Sequence, residues 1–482
     1  MTTSQNRKGW IGVWLAVAAV VLVSAGGLTW RLLFRQEETR FDDPVEHFKY
    51  GCMGVEEDNG IPYWLWVVLP KVFPQHLPGE GGYASLGMIF EEGHQTPIGM
   101  CRKTIGFPRV GANCGLCHTA AVRDQNGARR IIPGAPAHQL DPQAYLRFLF
   151  ACASDPRFNA DVLLEAIGRE TDLSFPEKVL YRLVLIPATR RALLEQKAGA
   201  AWMEGMAPDG PRSRWGPGRV DPFNPPKFGM LGLPVDGTIG TADIPPLWEM
   251  PDELDTPYHW DGLSTSLTEV IHSSALGDGA TPDALNVAGL ERVKEWMMSL
   301  PAPPYPYPVD RALAEEGRHI YQARCAECHE KGGRRYRTII PLSEPQHATD
   351  GHRRAMWTPE ARDAYNGYAR GKDWNFKRFQ TTDGYVAGRL NGLWLRAPYL
   401  HNGSVPSLEA LLAPPSERPV QFRRGTQSYD PIRVGFVSEG EEAKSAFLLD
   451  TRLPGNGNGG HLYGTALPAA EKRALLEYLK TL

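Results

Sequence analysis

The run Cys114-Gly115-Leu116-Cys117-His118 recurs as Cys325-Ala326-Glu327-Cys328-His329, and few patterns constrain a chain more. Two thiols so spaced bond the edge of a porphyrin while the adjacent histidine reaches its iron, which is the attachment chemistry of a c-type haem. With 7 Cys and 13 His in 482 residues, composition alone would yield roughly 0.003 copies, so two copies carry meaning. A zinc site made of paired Cys-x-x-Cys hooks needs no histidine after each hook and usually keeps the hooks close in sequence. A thioredoxin-like pair lacks the histidine as well. The expectation is two covalently bound haem c groups, with Cys114, Cys117, His118, Cys325, Cys328 and His329 as attachment residues and His118 and His329 as proximal iron ligands.

The length allows two or three domains with real cores. A net charge of -3 gives no reason to expect nucleic acid or an anionic surface as partner. Ile11 to Trp30 is a 20-residue apolar run preceded by Arg7 and Lys8 and ended by Trp30, Arg31 and Arg35. Such a run is long enough to span a bilayer, with its positive flank inside and tryptophans at the interfaces. Val23-Ser24-Ala25 offers a signal-peptidase site as the alternative. Either way the remainder is expected to be exported to the periplasmic side of the cell envelope, anchored in the inner membrane or released. Four cysteines go to the haems, leaving Cys52, Cys101 and Cys152, of which two can pair in an oxidising compartment or all can stay buried thiols.

The expected domains are residues 1–35 (anchor or signal), 36–300 (a first haem domain with insertions), 301–308 (linker) and 309–482 (a second haem domain). The linker, Pro301 to Pro308, is too proline-rich for anything but extended chain. Helices are expected over 161–169, 177–197, 286–300, 309–324 and 467–482 from their apolar spacing. Ile105 to Asn113 reads as loop, and Met206 to Pro234 is crowded with Pro and Gly. The aromatic stretch Tyr63 to Leu69 reads as core. A helix entering Cys325 and a final helix crossing it follow the cytochrome c plan, with 286–300 in the corresponding place of the first half. The expected fold is therefore mainly α: two cytochrome c-like haem domains with long loop insertions after an N-terminal membrane helix.

A second axial ligand decides whether an iron only relays electrons or stays free to bind oxygen or peroxide. In a cytochrome c unit it normally comes from the loop before the terminal helix. In the second half that loop is Gly455 to Gly464, and it holds His461, the expected distal ligand; its glycines let backbone approach a porphyrin closely. His401 is the alternative, or else a structural histidine of its own turn. In the first half the corresponding loop, Ala275 to Leu285, offers neither His nor Met. His138 lies in a Pro-rich turn, and His272 and Met230 remain alternatives although neither sits where a ligand is expected, so the first haem reads as having an open or weakly blocked face.

Trp260-Asp261-Gly262 and Leu395-Arg396-Ala397-Pro398-Tyr399-Leu400-His401-Asn402-Gly403-Ser404 resemble the signature segments of the di-haem cytochrome family that includes bacterial cytochrome c peroxidase, MauG and the rubber oxygenases. The Gly455–Gly464 loop looks most like the rubber-oxygenase (RoxA-like) branch, in which a histidine serves the second haem. The resemblance covers about residues 100 to 482. It implies that Trp260 lies between the haems with a catalytic electron-relay role, where composition alone would read it as core packing. It also exposes departures: at the places of the peroxidase glutamine and glutamate stand Val270 and Ala280, with Glu269 and Asp278 nearby. The acid–base help that splits peroxide is thus not visible in the sequence.

The expected function is an exported di-haem oxidoreductase, peroxidase-like or oxygenase-like, whose first haem binds oxygen or peroxide and whose second transfers electrons, with a redox protein as a further partner. The alternatives are a pure electron-transfer cytochrome with both irons six-coordinate and, more weakly, a gas sensor.

Overall fold

The computed structural model describes residues 34–482 except 205, 208, 209, 252 and 254, together with six isolated positions before residue 34. In the first half, helix α1 (Pro44–Tyr50) starts where the Asp43 carboxylate accepts from the Val45 and Glu46 amides and proline takes the first helical position. It lies against a helix near residue 300. After α2 (Leu267–Gly277), α3 (Val287–Ser299) begins at Asn286, whose side chain accepts from the Gly289 amide. Phe48 of α1 packs on Trp296 of α3 at 4.3 Å between ring centres, and His47 donates to the Gly289 carbonyl at 3.1 Å.

The second half is built on one crossing. Helix α4 (Arg311–Arg324), capped by Asp310, ends at Cys325 and so delivers the second motif. It crosses α5 (Ala469–Leu479) at Gly317, where a Cβ would stand 1.9 Å from the Ala474 carbonyl oxygen. Only glycine permits that approach. Tyr321 and Tyr478 close the side of the crossing, 5.0 Å apart.

Two expectations about the fold need correction. The chain is not mainly α: about 39% of it is helical and 12% is strand, in several sheets. The stretch read as loop forms a hairpin, β1 (Met100–Ile105) with β2 (Phe107–Ala112), turning at Gly106 with φ +72. The strand Gln36–Glu38 adds to it on one side and Ile61–Pro62 on the other. Further hairpins pair Thr119–Arg123 with Arg129–Pro133 and Gln421–Arg424 with Phe447–Asp450. A long-range pair joins β3 (Ile339–Pro341) to β4 (Gly384–Val386). Most of these strands are too short for alternation to show, and their glycines and prolines read as breaks until a partner strand satisfies the backbone.

The second correction concerns the membrane helix. Among the described residues no helix is long and apolar enough to cross a membrane, and the apolar run 11–30 lies for the most part outside the described residues.

Cys52 and Cys101 form a disulfide with their Cα atoms 5.1 Å apart, tying the segment after α1 to β1. Cys152 is a buried free thiol. The aromatic stretch is helical (Tyr63–Val72) and packs as core, with Trp66 stacked on Tyr83 at 4.2 Å.

Candidate functional site

The first motif forms a single turn, Cys114–Cys117, started by Asn113. The Asn113 side chain accepts from the Gly115 amide at 2.8 Å and donates to the Gly51 carbonyl at 2.8 Å, locking the turn to the end of α1. Cys114, Cys117 and His118 keep accessible surface, yet burial pushes the Cys114 thiol up to about 12, raises Cys117 further, and lowers His118 to about 4. Partly accessible thiols and an imidazole in a desolvated setting are what a covalently held porphyrin needs. His118 donates from Nδ1 to the Pro245 carbonyl at 2.9 Å, so its Nε2 is the nitrogen left for a metal.

The second motif has the same orientation device: His329 donates from Nδ1 to the Gly388 carbonyl at 2.6 Å. Across from it stands His461, ring centres 6.3 Å apart. Two imidazoles sharing one metal, each at about 2 Å from it, have ring centres roughly 6 Å apart. The residues present therefore fit an iron held between them. Burial, then the neighbouring His329, lowers His461 to about 3, which keeps the imidazole in its metal-binding neutral form. A cavity of about 430 Å³ borders His329, with Tyr336, Arg337 and Arg389 on its wall. These guanidinium groups suit the carboxylates of a haem.

His461 has φ +48, an uncommon and strained conformation for a residue with a side chain, which the surroundings must hold. Arg418 donates to the carbonyls of Asn458 at 2.6 Å, Gly460 at 2.9 Å and His461 at 3.3 Å. From the other side Asn402 donates to the Gly455 and Gly457 carbonyls, and Ser404 to Gly457. The His401-Asn-Gly-Ser404 turn thus clasps the glycine-rich loop with its polar side chains. His401 itself is stacked on Tyr385, centres 4.0 Å apart and 17° between planes.

Trp260 connects the segments that hold the two proximal histidines. Its indole N–H donates to the Asp243 carbonyl at 2.7 Å, two residues before Pro245. Its own carbonyl accepts from the Val386 amide at 2.8 Å, two residues before Gly388. Asp243 is the hub of this arrangement: its amide donates to the His401 carbonyl, and its carboxylate pairs with buried Arg424 at 2.6 Å. Burial nevertheless pushes Asp243 up to about 6 against the pull of Arg424. Asp261, beside Trp260, pairs with buried Arg353 at 3.0 Å.

The remaining candidates lie elsewhere. His138 stacks on Phe436 at 3.5 Å, His272 sets its edge against Trp374 at 5.7 Å, and Met230 packs against a core that also includes Trp357 and Tyr365. Among the described residues no aromatic or imidazole ring packs against His118 as His461 does against His329. Glu269 accepts from the Lys377 and Arg378 amides, so it caps a loop. Sequence reasoning missed Asp243, Arg424, Arg418 and the carbonyls of Pro245 and Gly388. A backbone acceptor leaves no mark in the residue type, and a buried arginine looks like any other.

Residues 384–423 match the family described as RoxA-like, cytochrome c-like. Over 107 residues the chain is 46% identical to the uncharacterized protein y4iJ of Sinorhizobium fredii, a stretch covering 20% of this chain and 18% of that one. Over 294 residues it is 28% identical to the uncharacterized protein y4iM of the same organism, covering 52% and 66%. The chain therefore spans less than two thirds of the length of either relative. The family match runs from β4 through Gly388 and the His401 turn to the strand at Phe422, so the elements orienting His329 and clasping His461 lie in a RoxA-like cytochrome c-like segment, and such a domain implies haem c.

Proposed function

We propose that this chain is an exported di-haem c-type cytochrome oxidoreductase. The first haem, bound through Cys114, Cys117 and His118, keeps a face open to oxygen or peroxide. The second, bound through Cys325, Cys328 and His329, is closed by His461 and transfers electrons. The observation that carries this reading is the asymmetry of the two sites: an imidazole stands opposite His329, and among the described residues no comparable ring stands opposite His118. The Cys52–Cys101 disulfide agrees with an oxidising compartment.

Each haem, when bound, supplies an iron that changes between ferric and ferrous states. The protein's part is orientation. Pro245 and Gly388 fix the tautomer and plane of the two proximal imidazoles and raise their basicity through the Nδ1–H bond. Trp260, bonded at one end to the Pro245 segment and at the other to the Gly388 segment, connects the sites and serves as the relay. Arg418, Asn402 and Ser404 hold the loop of His461 so that the second site stays closed. A redox protein that supplies or accepts electrons is the partner this arrangement requires.

The test is electron paramagnetic resonance of the ferric protein. His461→Ala should convert a low-spin signal to high-spin, whereas His401→Ala should leave the spin state unchanged. A high-spin change in the His401 variant alone would move the ligand to the other histidine.

A further inference from the structure

The helix over residues 175–199 turns an apolar row to the outside. Its consecutive pieces are Phe175–Leu180, begun by a capping box of Ser174 and Glu177, a π turn at Tyr181–Leu185, and Ile186–Gly199. Tyr181, Leu185, Ile186 and Leu193 are buried and anchor it in the core that also holds Trp66. Phe175, Val179 and Leu183 recur four residues apart, so they stand in line on the opposite side. Phe175 is 79% exposed, Leu183 68%, and Val184 beside it 52%. Single exposed apolar side chains are ordinary on a protein surface, but a row of them on one helix marks a contact surface. Pro187, four residues beyond Leu183, leads into a groove of about 630 Å³ walled by Phe158, Ile186 and Leu194.

Charge indicates what covers this row. The helix carries Lys178, Arg182, Arg190, Arg191 and Lys197 against Glu177 and Glu195, a net of +3 on a chain whose net charge is -3. Among the described residues Arg190 and Lys197 bond only neutral oxygens, the Ala153 carbonyl and the Ser154 hydroxyl. Lys178, Arg182 and Arg191 pair with Asp172, Asp161 and Glu195 through exposed contacts, which hold charges weakly. Through β1 the same helix is linked to the place where the chain following the apolar run 11–30 enters. The Arg35 carbonyl accepts from the Gly106 amide at 2.7 Å, while Arg102 lies over the Tyr63 ring at 4.3 Å and acts electrostatically on Tyr181.

We propose that this helix is a membrane-surface contact, lying in the plane of a bilayer that contains anionic lipid. Phe175, Val179, Leu183 and Val184 enter the acyl layer, and the lysines and arginines meet the headgroups. An apolar row flanked by cations matches the two layers of such a surface. The inference is independent of the chemistry at the haems.

The test uses the full two-haem chain with a nitroxide on Leu183→Cys. With the motif cysteines bonded to haem, Cys52 paired with Cys101 and Cys152 buried, the introduced thiol is the one that reacts. Relaxation of the nitroxide by oxygen, which concentrates among acyl chains, would be compared with relaxation by a water-soluble nickel chelate. The comparison is made without vesicles, with vesicles of phosphatidylcholine, and with vesicles that also contain phosphatidylglycerol; Ile432→Cys, at a position 74% exposed elsewhere, is the control. The oxygen-to-nickel ratio at 183 should rise severalfold on the mixed vesicles, less on the neutral ones and less at high salt, and stay unchanged at 432. Phe175→Glu with Val179→Glu, with the melting temperature and haem spectrum unchanged, should abolish the rise. A label at 183 that keeps its aqueous ratio on vesicles that carry the protein down overturns the inference, as does a protein that binds no vesicle. A label shielded from both relaxants without lipid, in a protein that sediments as a dimer, gives the row to a second copy and overturns it too. A rise equally large on neutral vesicles and at high salt overturns the assignment to anionic lipid.

Discussion

His461 and Asp278 stand at corresponding places in the two halves, and each is defined by what its side chain meets. His461 meets another imidazole across a gap of metal-binding width. Asp278 acts electrostatically on Cys114 and Cys117, raising both thiols. The sign of its effect on stability follows. Its pKa is raised from the ordinary 3.8 to about 7, so the folded protein takes up a proton there. The stabilisation is fully present below pH 4 and is lost as pH rises through 7. Measured against Asp278→Asn, the wild-type melting temperature should therefore fall between pH 5 and pH 8; parallel melting curves for the two proteins would show an ordinary solvated carboxylate. At this scale much was legible: both motifs, His461 and Trp260 are visible in the sequence because each is a rare residue in a recognisable setting. Asp243 was not, because its role comes from long-range contacts with His401, Trp260 and Arg424.

At the level of elements, the helices that close each half were readable because their apolar spacing and caps are local. The residue 286–300 and 467–482 predictions lie within a few residues of α3 and α5. The hairpins were not readable, since β1 and β2 turn on Gly106 and contain Pro108, signals that in isolation mean loop. The crossing of α4 and α5 depends on one residue. Gly317→Ala forces the Ala474 backbone away and should cost about 1–3 kcal/mol, seen as a lower melting temperature. A variant as stable as wild type would mean that the helices cross elsewhere.

At the scale of the whole molecule, the segments that carry the two Cys-x-x-Cys-His motifs are joined through a polar junction. Asp243 receives the Trp260 indole, donates to His401 and pairs with Arg424, so the segments orienting His118 and His329 cannot shift independently of Trp260. Paired buried charges of this kind contribute more to a unique arrangement than to net stability. The two motifs differ in what stands across from the proximal histidine: His461 faces His329, and among the described residues no ring faces His118 in that way. That difference is tested most directly by counting carbon monoxide on the fully reduced protein, with haem content measured in the same sample. Two haems per chain and one bound carbon monoxide are expected, with the remaining haem spectrum unchanged. Two haems that bind no carbon monoxide would contradict it.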